Sequence, residues 1–384
     1  MNFDLSQEQL SFQKLAKDYA EKEMQEQAGE WDKKRIFPIE IIKKSAEMGF
    51  CGLYIKEDVG GLGLSRLDTS LIFEQLAQAC PSTTAYISIH NMTAWMIDEF
   101  GSDSLRKEFV PSMVSAENLG SYCLTEPWSG SDAASLKTKA KKENSQWVLN
   151  GTKSFVSGAG ATQVLIVMAR TGELGPKGIS SFVVPCDVKG ISYGKNEDKM
   201  GWNSQPTKIV NLDHVKIPES YLLGQEGEGF KIAMKGLNGG RINIAACSLG
   251  AAQSAVKHCQ RYMKEREQFG KTLSSFQALR FKIADMVTEV TASRYMVRLA
   301  AFKLDQRDFK SPSYCAMAKR LATDLCFQVC NQAIQIYGGY GYTKDYPVER
   351  LMRDARVHQI LEGTNEIMRF ILSRSILEEN SLEF

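Results

Sequence analysis

Three long helical stretches in the second half of the chain constrain its fold more than any other feature. Apolar residues recur at helical spacing over Gly229–Glu265, Ser274–Gln306 and Ser311–Tyr337. A shorter helix is predicted at Glu366–Glu378. The three long stretches far exceed the mean helix length of about 11–12 residues in globular proteins. Because an apolar stripe of this length has to be buried along its whole extent, we predict a C-terminal four-helix bundle over residues 227–384.

The chain ahead of this bundle is predicted to form a helical domain followed by a β domain. Residues 1–118 show helical spacing, whereas residues 119–226 show short apolar runs separated by turn residues. Helices are predicted after the capping box Ser6-x-x-Gln9, at Leu67–Ala79, at Thr84–Phe100, and at Ser102–Phe109 with a stop at Pro111. Strands are predicted at Ser121–Thr125, Trp147–Leu149, Val164–Ala169 and Ser181–Val184. The predicted fold class is therefore α+β multidomain, with an N-terminal all-α domain, a small middle β-barrel or sandwich, and the C-terminal bundle.

Two glycine-containing motifs in the β domain have different meanings. Asn150-Gly151 predicts a two-residue hairpin turn, because a type I′ turn needs positive φ at both central residues. Gly158-Ala159-Gly160 resembles the start of a dinucleotide-binding fingerprint. It lacks the third glycine, and an apolar strand pattern follows it where a helix is required. A Rossmann domain is therefore excluded.

The composition favours neither nucleic-acid binding nor a membrane protein. The formal net charge of +2 comes with no cluster of Lys and Arg, and no apolar run approaches the roughly 20 residues that cross a bilayer. Nine scattered cysteines without a CxxC motif indicate reduced thiols, and four histidines without HExxH spacing indicate no metal site. Met1–Asp4 lacks the pattern of a targeting segment. We expect a cytoplasmic bacterial protein, or a mitochondrial matrix protein whose targeting segment has been removed.

Glu362 is the strongest candidate for a catalytic group. Its apolar neighbours are Ile360, Leu361, Ile367 and Met368. A carboxylate beside apolar walls has a raised pKa, which suits a base that takes a proton from carbon where water is scarce. Gly363 follows directly and lets a ligand approach the backbone closely. The alternative is a structural carboxylate that is solvated or paired with Arg356 or Arg369.

Three motifs, taken together, resemble the acyl-CoA dehydrogenase family of flavoproteins. They are Tyr122–Asp132 (YCLTEPWSGSD), Arg266–Lys271 (REQFGK) and Leu361–Glu366 (LEGTNE). The resemblance covers nearly the whole chain and has the same α–β–α order. It implies a homotetramer, a dimer of dimers, with one FAD per subunit between the β domain and the C-terminal bundle. A neighbouring subunit is expected to complete the adenine end of each FAD site.

The resemblance also implies a reaction. An acyl-CoA loses its α-proton to a base and its β-hydrogen as hydride to the flavin, which yields a 2-enoyl-CoA, and the electrons pass to electron-transferring flavoprotein. The expected substrate is short and branched, with isobutyryl-CoA first and 2-methylbutyryl-CoA or a short straight-chain acyl-CoA as alternatives. An acyl-CoA oxidase and a flavoprotein without catalytic activity are further alternatives.

Individual residues receive roles from the same resemblance. Glu362 matches the base, and no carboxylate stands near residue 240, where some members of the family carry theirs. Residues that match cofactor contacts are Tyr122, Leu124, Thr125, Phe155, Val156, Ser157, Arg266, Phe276, Gln277, Gln335, Gly338, Gly339, Thr364, Asn365 and Glu366. Residues that match substrate contacts are Ser131, Asn238, Arg241, Gly363 and Arg374. The chain departs from the family pattern at Trp128, usually a small residue, which is expected to narrow the cavity or cover the flavin edge. It departs again at Asn238, where straight-chain members frequently have an acid.

Overall fold

The computed structural model describes residues 4–378, so the outermost residues of the two predicted helical domains lie outside the described range. The first third is helical, with α1 Gln7–Tyr19, α2 Ala28–Lys34, α3 Ile39–Glu47, α4 Arg66–Ala79, α5 Pro81–Phe100 and α6 Asp103–Val114. The predicted capping box is confirmed, because the Ser6 hydroxyl accepts from the Gln9 backbone and the Gln9 side chain accepts from the Ser6 backbone. Helix α5 is buried over most of its length, and α4 and α6 pack against it.

The predicted helix stop at Pro111 is wrong. Helix α6 continues through Pro111 to Val114. Val110 and Met113, on either side of the proline, are fully buried in the core that the helices share with the sheet. Proline removes one backbone donor and normally breaks a helix. In the last turn of α6 only one hydrogen bond is lost, and the burial of these two side chains outweighs that loss.

The middle of the chain forms an eight-stranded sheet. Its strands are β1 Gly120–Cys123, β2 Lys139–Glu143, β3 Gln146–Ser157, β4 Val164–Arg170, β5 Ile179–Pro185, β6 Ile191–Tyr193, β7 Thr207–Pro218 and β8 Leu222–Leu223. The order is β6-β7-β3-β2-β4-β5-β8, and β1 pairs in parallel with β4. Strand β2 joins the two halves through one residue pair with β4, Lys139 opposite Arg170.

Strand β4 is buried on both faces. Val164, Ile166 and Met168 pack on the side of the helical core. Leu165 and Val167 point the other way, into a core made only of β-domain residues. The four predicted strands all overlap strands of this sheet, but the first ends at Cys123 and not at Thr125. Strands β2, β6, β7 and β8 were not predicted from the sequence.

The predicted hairpin turn at Asn150-Gly151 is wrong, since both residues lie inside β3. The register of β3 against β7 shifts between Leu149 and Gly151. A Cβ atom on Gly151 would lie 2.4 Å from Thr138 Oγ1, so the glycine allows the close approach of two backbones. The Asn150 side chain accepts a hydrogen bond from the His214 backbone N–H at 2.8 Å. The tight turn between β2 and β3 lies at Asn144, whose φ is +54°.

The last third of the chain is the predicted helical bundle. Its elements are α7 Gly229–Glu265, the short hairpin β9 Glu267–Gln268 and β10 Lys271–Thr272, α8 Gln277–Asp305, α9 Ser311–Tyr337, α10 Val348–Arg356 and α11 Asn365–Leu377. Helix α7 packs against α8 and α9 on one side and against α4 and α5 on the other. Gly250 permits this approach, because a Cβ there would lie 2.5 Å from the Glu74 carbonyl oxygen. The α–β–α fold class is confirmed.

The predicted domain boundaries after residues 118 and 226 stay predictions; β1 begins at Gly120 and α7 at Gly229. No helix within residues 4–378 is both long and apolar enough to cross a bilayer. The same residues contain no cluster of three or more His, Cys, Asp or Glu side chains that could hold a metal ion. The nine cysteines are free thiols in the structure.

Candidate active site

Glu362 lies in a tight turn just before α11. Its φ is +57°, and that of Gly363 is +86°, so two successive residues adopt the left-handed conformation. This conformation is costly for a glutamate and is found mainly where surrounding contacts enforce it. The turn directs the carboxylate at α7, where a Cβ on Gly240 would lie 2.5 Å from Glu362 Oε2. The missing side chain of Gly240 therefore provides the space that the carboxylate occupies.

The environment of Glu362 favours the protonated form of its carboxyl group. Its Oε2 atom is buried and has no hydrogen-bond partner within residues 4–378. Burial raises the pKa of Glu362 to about 7, and the charges of Arg241 and Lys319 act in the opposite direction. The alternative pairing with Arg356 or Arg369 is wrong. Arg356 binds the Gln359 side chain at 3.1 Å, and Arg369 pairs with Asp324 at 3.2 Å.

Two buried cations hold the turn from opposite sides. Arg241 of α7 donates to the Glu362 carbonyl oxygen at 3.2 Å and to Asn238 Oδ1 at 2.7 Å. Lys319 of α9 donates to the Gly363 carbonyl oxygen at 2.8 Å and to Asn365 Oδ1 at 2.8 Å. Arg241 was expected to contact the substrate, and the structure places its guanidinium inside the protein, 4% exposed. Lys319 was not predicted, although a lysine on the apolar stripe of α9 is a signal that could have found it.

Tyr122 of β1 faces the same region from the sheet. Its hydroxyl group is buried and has no partner within residues 4–378. Burial raises the pKa of Tyr122 well above its usual range, and the charge of Glu362 adds to that rise. The structure thus brings together two polar groups without partners, Tyr122 Oη and Glu362 Oε2. Buried polar atoms without a partner are uncommon, and these two are candidates to bind a ligand.

The two segments expected to contact a flavin are adjacent. Ser121 Oγ donates to the Ser157 carbonyl oxygen at 2.6 Å, and the Ser154 N–H donates to the Thr125 carbonyl oxygen at 2.8 Å. These bonds place Tyr122–Thr125 beside Phe155–Ser157. Phe155 has a φ of +55° and a side chain that is 68% exposed. A strained backbone that presents an aromatic ring to solvent is typical of a binding surface.

A buried ion pair fixes the loop that follows β1, and the sequence analysis missed it. Lys153 Nζ lies 2.8 Å from Glu126 Oε1, and neither side chain is exposed to solvent. Lys153 also donates to the Leu124 carbonyl oxygen at 3.1 Å. Glu126 accepts from Trp128 Nε1 at 2.9 Å, and its other partners are the backbone N–H groups of residues 137 and 138. The Trp128 side chain is thereby held at the rim of the loop, 53% exposed.

A second group of predicted residues lies at the far end of α9. Arg266 follows α7 and lies 5.5 Å above the ring of Tyr340, in the turn that contains Gly338 and Gly339. Phe276 and Gln277 stand at the start of α8, and Gln335 is in the last turn of α9. Lys319 and Gln335 are sixteen residues apart on α9, or about 24 Å at 1.5 Å per residue. The structure therefore does not bring this group to Glu362 within one chain.

The remaining predicted residues surround the turn or lie outside it. Thr364 caps α11 by accepting from the Ile367 N–H at 3.3 Å, and Asn365 is buried behind it. Glu366 is exposed in the first turn of α11, and Arg374 lies in the last. Ser131 is exposed in the loop after β1.

The space beside Gly240 provides a direct test of how the carboxylate is positioned. We expect Gly240→Ala to displace Glu362 and to lower the turnover rate about 10²-fold, the effect of a displacement of about 1 Å. Gly236→Ala on the same helix is the control, because its Cβ would meet only flexible methionine side chains, Met96 at 3.3 Å and Met92 at 3.7 Å. Both changes raise helix propensity by about 1 kcal/mol. Equal turnover by the two variants would show that this space does not position the base.

The pKa of Glu362 predicts a pH dependence. A base has to be unprotonated to act, so the rate of substrate oxidation should rise with pH through about 7, the pKa of this group, and level off above it. The measurement is single-turnover oxidation of the substrate between about pH 5.5 and 9. A rate that is flat across this range would contradict a base with this pKa.

Comparison with known proteins identifies the family. Three family models of acyl-CoA dehydrogenases match consecutive parts of the chain: the N-terminal domain at residues 6–117, the middle domain at 121–215 and the C-terminal domain at 227–377. The mitochondrial isobutyryl-CoA dehydrogenase of Bos taurus is 53% identical over 98% of this chain and 90% of its own length.

Solved structures agree with this result. Butyryl-CoA dehydrogenase of Megasphaera elsdenii has a TM-score of 0.95 and 39% identity, over 98% of this chain and 100% of that one. A chain from a structure of the electron-transferring flavoprotein of Acidaminococcus fermentans has a TM-score of 0.96 and 39% identity, with the same coverage. Acyl-CoA dehydrogenases use FAD and oxidise acyl-CoA thioesters. The fold, the buried carboxylate and these matches show that the chain belongs to the acyl-CoA dehydrogenase family of FAD-dependent enzymes.

Proposed function

We propose that this enzyme oxidises isobutyryl-CoA to the 2-enoyl-CoA and that Glu362 removes the α-proton. The observation that carries the proposal is the Glu362 carboxylate itself. It is directed into a buried space, has an oxygen without a partner within residues 4–378, and has a pKa of about 7. The preference for a short branched acyl group is supported by the 53% identity to the isobutyryl-CoA dehydrogenase. Short straight-chain acyl-CoA and 2-methylbutyryl-CoA are the competing substrates.

The surface formed by β1 and β3 fits a flavin. Tyr122 and Cys123 in β1 and Val156 and Ser157 in β3 present an extended backbone whose N–H and C=O groups suit the edge of a flat heterocycle. The exposed Phe155 ring suits contact with its face. FAD bound there supplies the acceptor for the β-hydrogen, which leaves the substrate as hydride.

The protein's own groups prepare the proton transfer. Arg241 holds the Glu362 carbonyl oxygen at 3.2 Å, so the backbone of the base cannot rotate away from α7 without losing a buried hydrogen bond. Burial keeps the carboxylate free of strong solvation, and the two nearby cations keep enough of it ionised at neutral pH. Glu362 then accepts the α-proton that the thioester makes acidic.

The proposed assembly is a homotetramer, a dimer of dimers. Within one chain, Arg266 and its neighbours are too far from Glu362 to share a flavin ring with it, so we propose that they bind the adenine end of a partner's FAD. Helix α8 carries large exposed apolar side chains that a partner would cover: Phe281, Tyr295, Leu299 and Phe302. The electron acceptor we propose is electron-transferring flavoprotein, which is supported by the structural similarity to the chain from Acidaminococcus fermentans.

The test is anaerobic reduction of the purified yellow protein by a panel of thioesters. Isobutyryl-, 2-methylbutyryl-, butyryl-, isovaleryl- and octanoyl-CoA are compared by the rate at which each bleaches the flavin. We expect isobutyryl-CoA to be fastest. Faster bleaching by butyryl-CoA would favour a straight-chain enzyme, and no bleaching by any member would favour a flavoprotein without catalytic activity.

A second measurement separates the dehydrogenase from an oxidase. After reduction by substrate, the protein is exposed to air and peroxide is followed. Peroxide at the turnover rate would contradict electron-transferring flavoprotein as the acceptor. Slow reoxidation in air together with fast reoxidation by electron-transferring flavoprotein is the expected result.

A further inference from the structure

We propose that Lys319 is a positioning residue. It holds the turn of Glu362 and Gly363 in its reactive conformation, and its positive charge favours the ionised form of the Glu362 carboxylate. The proposal rests on the proposed role of Glu362. It goes beyond the family resemblance, which assigns no role to Lys319.

Lys319 binds both sides of the turn that contains Glu362. Its side chain is fully buried, and its ammonium group donates at 2.8 Å to the Gly363 carbonyl oxygen and at 2.8 Å to Asn365 Oδ1. Gly363 is the residue after the base, and Asn365 begins α11. One cation thus ties together both sides of a turn in which Glu362 and Gly363 have positive φ. Without it, the strained turn would lose two of its charge-assisted hydrogen bonds.

Burying a lysine side chain at this position costs free energy. Its neighbours on the α9 stripe are Cys315, Ala318, Ala322 and Cys326, all buried and apolar. Burying an ammonium ion costs several kcal/mol unless it is well paired, and an apolar residue would pack there without that cost. Within residues 4–378 Lys319 forms no ion pair, and both of its acceptors are uncharged oxygens of the turn. Its contacts therefore serve the turn and not a salt bridge.

Several charged groups face Lys319 and Glu362. Arg241 approaches from α7 and Asp324 lies one turn further along α9. Glu366 lies on α11, and the hydroxyl group of Tyr122 comes from β1. The hydroxyl group of Tyr54 also faces Glu362, and the His358 ring faces Lys319. Asp324 is itself engaged, because it accepts from Asn365 Nδ2 at 2.7 Å and pairs with Arg369. Arg241 and Lys319 are thus the cations that act directly on the base.

The charges of Lys319 and Glu362 support each other. Burial lowers the pKa of Lys319 to about 7, and the Glu362 carboxylate opposes this effect more than any other group does. The ammonium group in turn favours the ionised form of Glu362. Removing the ammonium charge should therefore raise the pKa of Glu362 by about one unit, the low end of the range for a nearby opposite charge. The pair titrates as a unit, so the measured values belong to both groups.

The experiment compares Lys319→Met, Lys319→Gln and Lys319→Arg in the FAD-loaded enzyme. Lys319→Met removes charge and donors, Lys319→Gln keeps a donor without charge, and Lys319→Arg keeps the charge. We expect Lys319→Met to reduce the rate of flavin reduction about 10–10²-fold and to move the midpoint of its pH profile up by about one unit. Lys319→Gln should show the same shift with a smaller loss of rate, and Lys319→Arg should keep the original midpoint.

Controls separate positioning from general stability. Arg320→Met removes the adjacent charge on α9, and it should leave the midpoint in place. In the Glu362→Gln background, Lys319→Met should cause little further loss of rate, because the group it positions is gone. Two results would overturn the proposal. One is a loss of rate in Lys319→Met while the midpoint of the pH profile stays unchanged. The other is an equal loss of rate when Lys319→Met is made in the Glu362→Gln variant.

A titration without substrate keeps the test independent of the proposed reaction. The visible spectrum of the bound flavin is recorded against pH in the substrate-free enzyme, where ionisation of a nearby carboxylate perturbs it. The transition should lie near pH 7 in the unmodified enzyme, move upward in Lys319→Met, and vanish in Glu362→Gln. If no acyl-CoA bleaches the flavin but this pattern holds, the proposed reaction fails, whereas the coupling between the charges of Lys319 and Glu362 stands.

Discussion

Glu362→Gln should leave a yellow protein that no acyl-CoA bleaches at an appreciable rate. Glutamine has nearly the same volume and fits the left-handed turn as glutamate does, but it cannot accept the α-proton. The expected loss is at least 10²–10⁴-fold in the rate of flavin reduction, the range for removal of a general base. Because the change acts on the base alone, binding of the thioester should persist as a shift in the flavin spectrum without bleaching.

The matched control is Glu378→Gln, which removes an exposed carboxylate at the C-terminal end of α11. It changes the net charge by the same amount and lies far along the helix from the turn. This variant should bleach at the rate of the unmodified enzyme. Rapid bleaching by Glu362→Gln would show that the proton is taken by another group and would remove Glu362 from the mechanism.

Lys153→Met should cause the largest loss of stability among single changes near the site. Lys153 and Glu126 form an ion pair with no solvent exposure, and the pair fixes the loop after β1. Although burial alone would raise it, Lys153 holds the pKa of Glu126 below its usual range. Removing Lys153 leaves a buried carboxylate without its cation, which costs about 3–5 kcal/mol. Retention of FAD should fall as well, since the loop carries the predicted flavin contacts.

The measurement is the midpoint of urea unfolding at fixed protein and FAD concentrations. A three-domain chain does not unfold in one two-state step, so midpoints are compared between variants and not converted to absolute stabilities. Lys142→Met is the control, because Lys142 pairs with Glu219 at the surface of the same sheet with both side chains about half exposed. Its shift of the midpoint should be several-fold smaller than that of Lys153→Met, because a surface ion pair contributes at most about 1 kcal/mol. The double variant Glu126→Gln/Lys153→Met should recover part of the loss, and no recovery would contradict the ion-pair explanation.

The sequence was most informative where one local pattern continued without interruption. The apolar stripes of α7 and α9 predicted both helices with the bounds that the structure has. Helix α10 was missed because its core positions include charged residues, with Arg350 and Asp354 both buried. Strand β7 was missed because its alternation breaks near His214, whose φ is +52°. Irregular backbone at this point moves later side chains to the other face of the sheet.

The sequence predicted those features of the site that depend on residues close to Glu362 in the chain. The apolar neighbours of Glu362 on either side indicated a raised pKa, and the structure agrees with that direction. The groups that tune the carboxylate come from elsewhere, and the contact of Lys319 with Gly363 spans 44 residues of sequence. The pairing of Glu126 with Lys153 spans 27 residues. Contacts of this kind depend on tertiary packing, which spacing alone does not reveal.

The close approach of the Glu362 carboxylate to Gly240 has a consequence for how such enzymes diverge. The Glu362 carboxylate occupies a place that two separate parts of the backbone can reach, the turn before α11 and the middle of α7. An acid side chain rooted on the regular helix would point into the same region without any need for a left-handed glutamate. A carboxylate can therefore reach this space from either segment. The same space can thus hold a carboxyl group whose residue stands at either of two positions in the sequence.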